Sequence, residues 1–106
     1  MRVHVTLGYF DGCPSWQTAL ANLEVAAARI GADIEVELES VETLEDAERL
    51  GFTGSPTLLL DGTDPFAVPG TGPALACRVY ATPAEFAASP TVDQLASVLG
   101  AHERSH

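Results

Sequence analysis

The chain contains no lysine, and its five arginines face fifteen acids, which gives a formal charge of −10. Such a surface repels phosphate, so nucleic acid and anionic membranes are disfavoured as partners. Long apolar runs are also missing: none approaches the roughly 18 residues of a membrane helix. Arg2 leads straight into an alternating pattern rather than the apolar core of a signal peptide, so the expected location is the cytoplasm. Cysteine is scarce, with only Cys13 and Cys77. Two thiols cannot build a disulfide scaffold, and they are not paired at zinc-ligand spacing, so no metal centre is expected. Any chemistry they do is thiol chemistry. Aromatics are few, at 7%, yet an apolar share of 46% and a charged share of 19% belong to a globular chain.

With 106 residues there is room for one core. The expected domain covers 1–100, followed by a flexible tail over 101–106. Val3, Val5, Leu7 and Tyr9 alternate as a strand does. After Phe10-Asp11-Gly12 the period changes, and Trp16, Leu20, Leu23, Ala27 and Ile30 predict one stripe of a helix ending at Gly31. Ile34, Val36 and Leu38 then alternate with Glu35, Glu37 and Glu39, a second strand with one acidic, solvated face. Thr43 as cap, Asp46 at the third helical position and Gly51 as terminator frame a short helix.

Thr57 to Leu60 reads as a buried strand between Ser55-Pro56 and Asp61-Gly62. The glycine- and proline-rich stretch 62–76 is a long loop, and 76–81 a further strand. Capping-box signatures at Thr82 with Glu85 and at Thr91 with Gln94 predict one helical turn and a final helix. The order β-α-β-α-β-β-α has few compact solutions. One is an α/β thioredoxin-like fold with a mixed four-stranded sheet and helices on both faces. It brings the ends of the first two strands and the start of the third to one edge, where Cys13 and Pro56 should meet.

The stretch Tyr9-Phe10-Asp11-Gly12-Cys13-Pro14-Ser15-Trp16 resembles the glutaredoxin pattern Y-x-x-x-G-C-P-Y-C, and Gly54-Ser55-Pro56-Thr57 is similar to the cis-proline strand of the thioredoxin-like superfamily. The pieces around Cys13 and around Cys77 also resemble small actinobacterial thioredoxin-like proteins, some labelled alkylmercury lyase. The resemblance implies a cis Ser55–Pro56 bond, a nucleophilic Cys13, and a partner thiol held against Gly12, Pro14, Ser15, Trp16, Ser55 and Pro56. It implies no cofactor beyond a low-molecular-weight thiol as co-substrate. The chain departs from the pattern at Trp16, which stands where a dithiol enzyme has its second cysteine, and at Leu7, where thioredoxins carry a buried acid.

Physical chemistry supports a reactive Cys13 independently. A thiol at a helix N-terminus meets unpaired amides and the positive end of the macrodipole, which lowers its pKa below the free value of about 8.5. Trp16 continues an apolar stripe, so its first expectation is packing rather than contact with a partner. A tight hairpin between 57–61 and 77–81 would set Cys77 roughly 13 Å from the Cys13 edge, beyond the ~7 Å reach of a disulfide. Cys77 is therefore expected as a buried core thiol, with a role as second thiol the alternative. His4, His102 and His106 are not placed to serve Cys13. The leading expectation is a monothiol protein in which Cys13 forms a mixed disulfide with a small-molecule thiol or a protein cysteine. Soft-metal or organomercurial binding by Cys13 is a second expectation. A redox-inactive interaction module, with 62–76 as its contact surface, is the third.

Overall fold

The computed structural model describes residues 2–10, 13–67, 72–73, 80–83, 86–87 and 89–104. Strand β1 (Arg2–Tyr9) lies at the centre of a three-stranded sheet of order β2-β1-β3. Helix α1 (Ser15–Ile30) carries the chain across to β2 (Asp33–Ser40), which runs parallel to β1 with Val5 beside Val36 and Tyr9 beside Ser40. After helix α2 (Leu44–Leu50), strand β3 (Thr57–Leu60) returns antiparallel on the other side of β1, with Gly8 beside Thr57 and Val5 beside Leu60. The ends of β1 and β2 and the start of β3 therefore share an edge, as expected.

The alternation of β1 holds through Leu7, with Val3, Val5 and Leu7 completely buried and Tyr9 half-buried. They form the main core with Leu58 and Leu60 of β3, with Leu23, Ala26 and Ala27 of α1, and with Leu95 and Leu99 of α3 (Val92–Arg104). Each large aliphatic side chain so buried contributes about 1.5–3 kcal/mol. The face that α1 turns inward is centred on Ala19, Leu23, Ala26 and Ala27, while Trp16 and Leu20 are half-buried and Ile30 is exposed. The expected stripe is thus rotated about the helix axis, with small alanines on the inner face and bulkier side chains along its flanks. On the opposite face of the sheet, Phe52 packs with Val41 and Ala47 and approaches Gly8.

The capping signals act as the chain's chemistry suggests. Thr43 Oγ1 accepts the Asp46 amide at 3.1 Å, and Gly31 and Gly51 close α1 and α2 in the left-handed conformation. Before α3 the box is reciprocal: Thr91 Oγ1 accepts the Gln94 amide at 3.1 Å, and Gln94 Oε1 accepts the Thr91 amide at 3.0 Å.

Two expectations need correction. The main sheet has three strands among the described residues, not four. Tyr80–Ala81 (β4) pairs instead with Phe86–Ala87 (β5) as a separate antiparallel ribbon. Phe86 and Ala87 are extended, and of the helical turn expected over 82–85, residues 84 and 85 lie outside the described residues. The tail expected from residue 101 is helical to Arg104, and His102 Nε2 lies 2.8 Å from Asp61 Oδ2. The loop expected over 62–76, of which 62–67 and 72–73 are described, starts as a tight turn. Asp61 and Gly62 both have positive φ, of 48° and 88°, and Leu60 and Thr63 exchange backbone hydrogen bonds of 2.8 and 3.1 Å, the geometry that Asp-Gly favours. Asp61 is further fixed by the His4 amide, which donates to its Oδ1 at 3.0 Å. No helix among the described residues is long and apolar enough to cross a membrane.

Candidate functional site

The shared edge of the sheet brings two loops together. After β1 the chain turns so that the Cys13 amide donates to the Phe10 carbonyl at 2.9 Å, and Pro14 follows with helical torsions of φ −75° and ψ −3°. Proline suits this position because its missing N–H and fixed φ carry no cost at a helix start. Helix α1 begins with no side-chain cap and no acid in its first turn, so among the described residues of its first turn none offsets the positive end of its dipole.

The facing loop, between α2 and β3, is knitted internally. Thr57 Oγ1 donates to the Gly54 carbonyl and accepts the Thr53 amide at 3.3 Å. The Ser55–Pro56 bond is cis. Ser55 is fully buried, and its hydroxyl accepts the Phe10 amide at 3.1 Å, which joins this loop to the one leading into Cys13. Tyr80, also buried, donates its hydroxyl proton to the Pro56 carbonyl and packs edge-on against Phe66 with ring centroids 5.4 Å apart.

Cys13 lies in this junction with 3% of its surface exposed. Its sulfur is 3.1 Å from Ser15 Oγ and 3.8 Å from the Ser55 carbonyl oxygen, so polar atoms flank it on two sides. Cys13 is disulfide-bonded, whereas a separation of roughly 13 Å between Cys77 and the Cys13 edge makes a buried core thiol the first expectation for Cys77 and a second thiol the alternative. That distance assumed a tight pairing of 57–61 with 77–81. The described parts of those segments pair otherwise, Leu60 with Thr63 and Tyr80–Ala81 with Phe86–Ala87. Cys77, expected as a core or second thiol, lies outside the described residues, as does Gly12.

Of the remaining site residues, Ser55 and Ser15 meet at the sulfur, Pro56 follows Ser55 through the cis bond, and Pro14 is exposed next to Cys13 in the chain. Trp16 is half-buried, packs against the main core and stacks on Tyr9 with ring centroids 4.6 Å apart. The packing role expected for it is therefore present, and the stack forms an aromatic wall on the first turn of α1. His4 and His102 are engaged elsewhere, His4 Nε2 with Glu37 Oε2 at 3.0 Å and His102 with Asp61, and His106 lies outside the described residues. No group of three metal-ligating side chains occurs among the described residues.

Sequence reasoning missed Phe10, Tyr80 and the Tyr9–Trp16 pair. Tyr9 and Trp16 carried a readable signal, since each flanks the turn between β1 and α1. The Tyr80 hydroxyl did not, because its partner is a backbone carbonyl far away in sequence. No protein-family model, curated protein or solved structure matches the chain. The functional reading therefore rests on the chemistry of this junction.

Proposed function

We propose that the chain is a thioredoxin-like thiol–disulfide exchange protein whose nucleophile is Cys13. One observation carries this reading: the Cys13 sulfur, at the mouth of an uncapped 16-residue helix, faces the Ser55 carbonyl across 3.8 Å, beside the cis Ser55–Pro56 bond. The sheet order and the antiparallel third strand fit the same reading. The helix amides favour thiolate over thiol, and the buried Ser55 loop offers backbone on which an extended thiol partner can align.

In the reductive direction, the Cys13 thiolate attacks one sulfur of a disulfide R–S–S–R′. A Cys13–S–S–R mixed disulfide forms and R′–S⁻ leaves. R belongs to a low-molecular-weight thiol or a protein cysteine. Cys13 is disulfide-bonded and the chain's other cysteine is Cys77, so Cys77 is the thiol proposed to resolve the adduct. Its thiolate attacks the Cys13 sulfur, R–S⁻ leaves, and two electrons have passed from the protein to the substrate disulfide. A thiol reductant restores both cysteines by the reverse exchange.

The test is intact-mass spectrometry of the reduced protein treated with bis(2-hydroxyethyl) disulfide. The parent should pass through a transient adduct at Cys13 and end lighter by two hydrogens. Cys77→Ser should stop at the adduct, and Cys13→Ser should form none. An adduct that forms equally fast in Cys13→Ser refutes the assignment of the nucleophile. A stable adduct in the parent leaves Cys13 in place but removes Cys77 from the cycle.

A further inference from the structure

The Cys13 sulfur has two polar neighbours of opposite character. Ser15 Oγ, at 3.1 Å, can donate a proton or accept one, whereas the Ser55 carbonyl oxygen, at 3.8 Å, can only accept. In the disulfide the sulfur carries no proton, so the bond to Ser15 has a single possible sense, hydroxyl donating to sulfur. Once the disulfide opens, the two neighbours pull in different directions. A protonated thiol is satisfied by the Ser55 carbonyl. An anionic sulfur is repelled by that oxygen and needs a donor, and donors to anions form the stronger class of hydrogen bond.

We infer that Ser15 is a catalytic residue whose hydroxyl donates to the Cys13 thiolate, while the Ser55 carbonyl holds the protonated thiol, so that the pair sets how much of Cys13 is ready to attack. This deepens the exchange function proposed above and rests on it. The neighbours suit these tasks differently. Ser55 is fully buried and tied through its own hydroxyl to the Phe10 amide. Ser15 is the first residue of α1 and half-buried, so its hydroxyl can rotate between sulfur and solvent. The helix and the serine then act on the same atom. The macrodipole supplies a field, and the hydroxyl supplies a directed bond that is strongest when the sulfur is anionic.

The experiment is site-resolved alkylation of the fully reduced protein with iodoacetamide, followed at Cys13 by peptide mass spectrometry across pH 4 to 10 as an order-of-magnitude range spanning the thiol region. The parent should label at Cys13 with an apparent pKa below the free-cysteine value of about 8.5. Ser15→Ala should raise that pKa by about one unit, a roughly tenfold loss of thiolate on the acidic side. Ser15→Thr, which keeps the hydroxyl, should restore the parent profile. An unchanged pKa in Ser15→Ala, with the parent value low, overturns the role of Ser15 and leaves the exchange function standing. A pKa raised equally in both variants shows that fit, not the hydroxyl, matters, and also overturns it. A parent value at or above that of free cysteine removes the exchange function itself. Because Ser15 is at a half-exposed helix start, both variants should keep the parent's urea midpoint.

Discussion

Gly8→Ala is the sharpest test of how the sheet face opposite α1 is packed. A Cβ added at Gly8 stands 3.0 Å from Cδ1 and 3.4 Å from Cε1 of Phe52, whereas relaxed carbon contacts lie at about 3.5–4.0 Å. Phe52 is 1% exposed and held among Val41, Ala47 and Leu50, so its ring has nowhere to retreat without opening that cluster. Overpacking of this kind costs about 1–3 kcal/mol. Alanine offsets about 0.4–1 kcal/mol of it by restricting the unfolded chain, which leaves a net loss of roughly 1–2 kcal/mol.

The sign of the effect should invert when the ring is removed. Phe52→Val deletes both contacting atoms and costs about 2–3 kcal/mol alone, within the ~5–15 kcal/mol expected of a domain. In that background Gly8→Ala should stabilise by about 0.5 kcal/mol. The assay is urea unfolding of the four proteins, all with oxidised cysteines, compared by midpoint at constant m. A coupling energy near 2 kcal/mol is expected from the cycle. Additive effects, or a Gly8→Ala loss that persists with valine at 52, would refute the steric account.

Thr91→Ala removes the oxygen that caps α3, and should lower the unfolding free energy by about 1 kcal/mol with little change in the Cys13 reaction; equal midpoints by urea unfolding would show that the reciprocal bonds to Gln94 add nothing. Asp46 predicts a pH effect. The Arg49 hydrogen bond, foremost, holds its carboxyl below the ordinary aspartate range, so it favours the folded state above that range and loses this contribution as pH falls through the lowered value. Acid titration of helicity by circular dichroism should therefore show a smaller low-pH loss in Asp46→Asn than in the parent, and identical curves would contradict it.

Much of the framework was readable because the signals are local. Val3, Val5 and Leu7 alternate, and Thr43 with Gly51 brackets one helix as Thr91 with Gln94 opens another, so each segment declares its own structure within a few residues. Properties set by distant partners were less legible. The α1 stripe was assigned to its largest side chains, yet close packing of helix on sheet selected Ala19, Ala26 and Ala27. Leu38 alternates correctly on β2 but remains 45% exposed, because β2 is the outermost strand. His102 was assigned to a tail because nothing nearby shows that Asp61, carried by a tight turn, will meet it.

The same division holds at the site. Cys13, Pro14, Ser55 and Pro56 announced themselves through a short motif and the topology. That Cys13 is disulfide-bonded did not, because such a bond depends on strand register and loop path, which alternating hydrophobicity cannot resolve.

The position of β2 has a consequence for crowding. Its outer backbone edge has no strand partner among the described residues, and Glu35, Glu37 and Glu39 line one side of it. A second molecule approaching edge to edge would set carboxylate against carboxylate, since like charges facing one another across strands repel. The row of glutamates thus acts as a guard against fibril-like stacking.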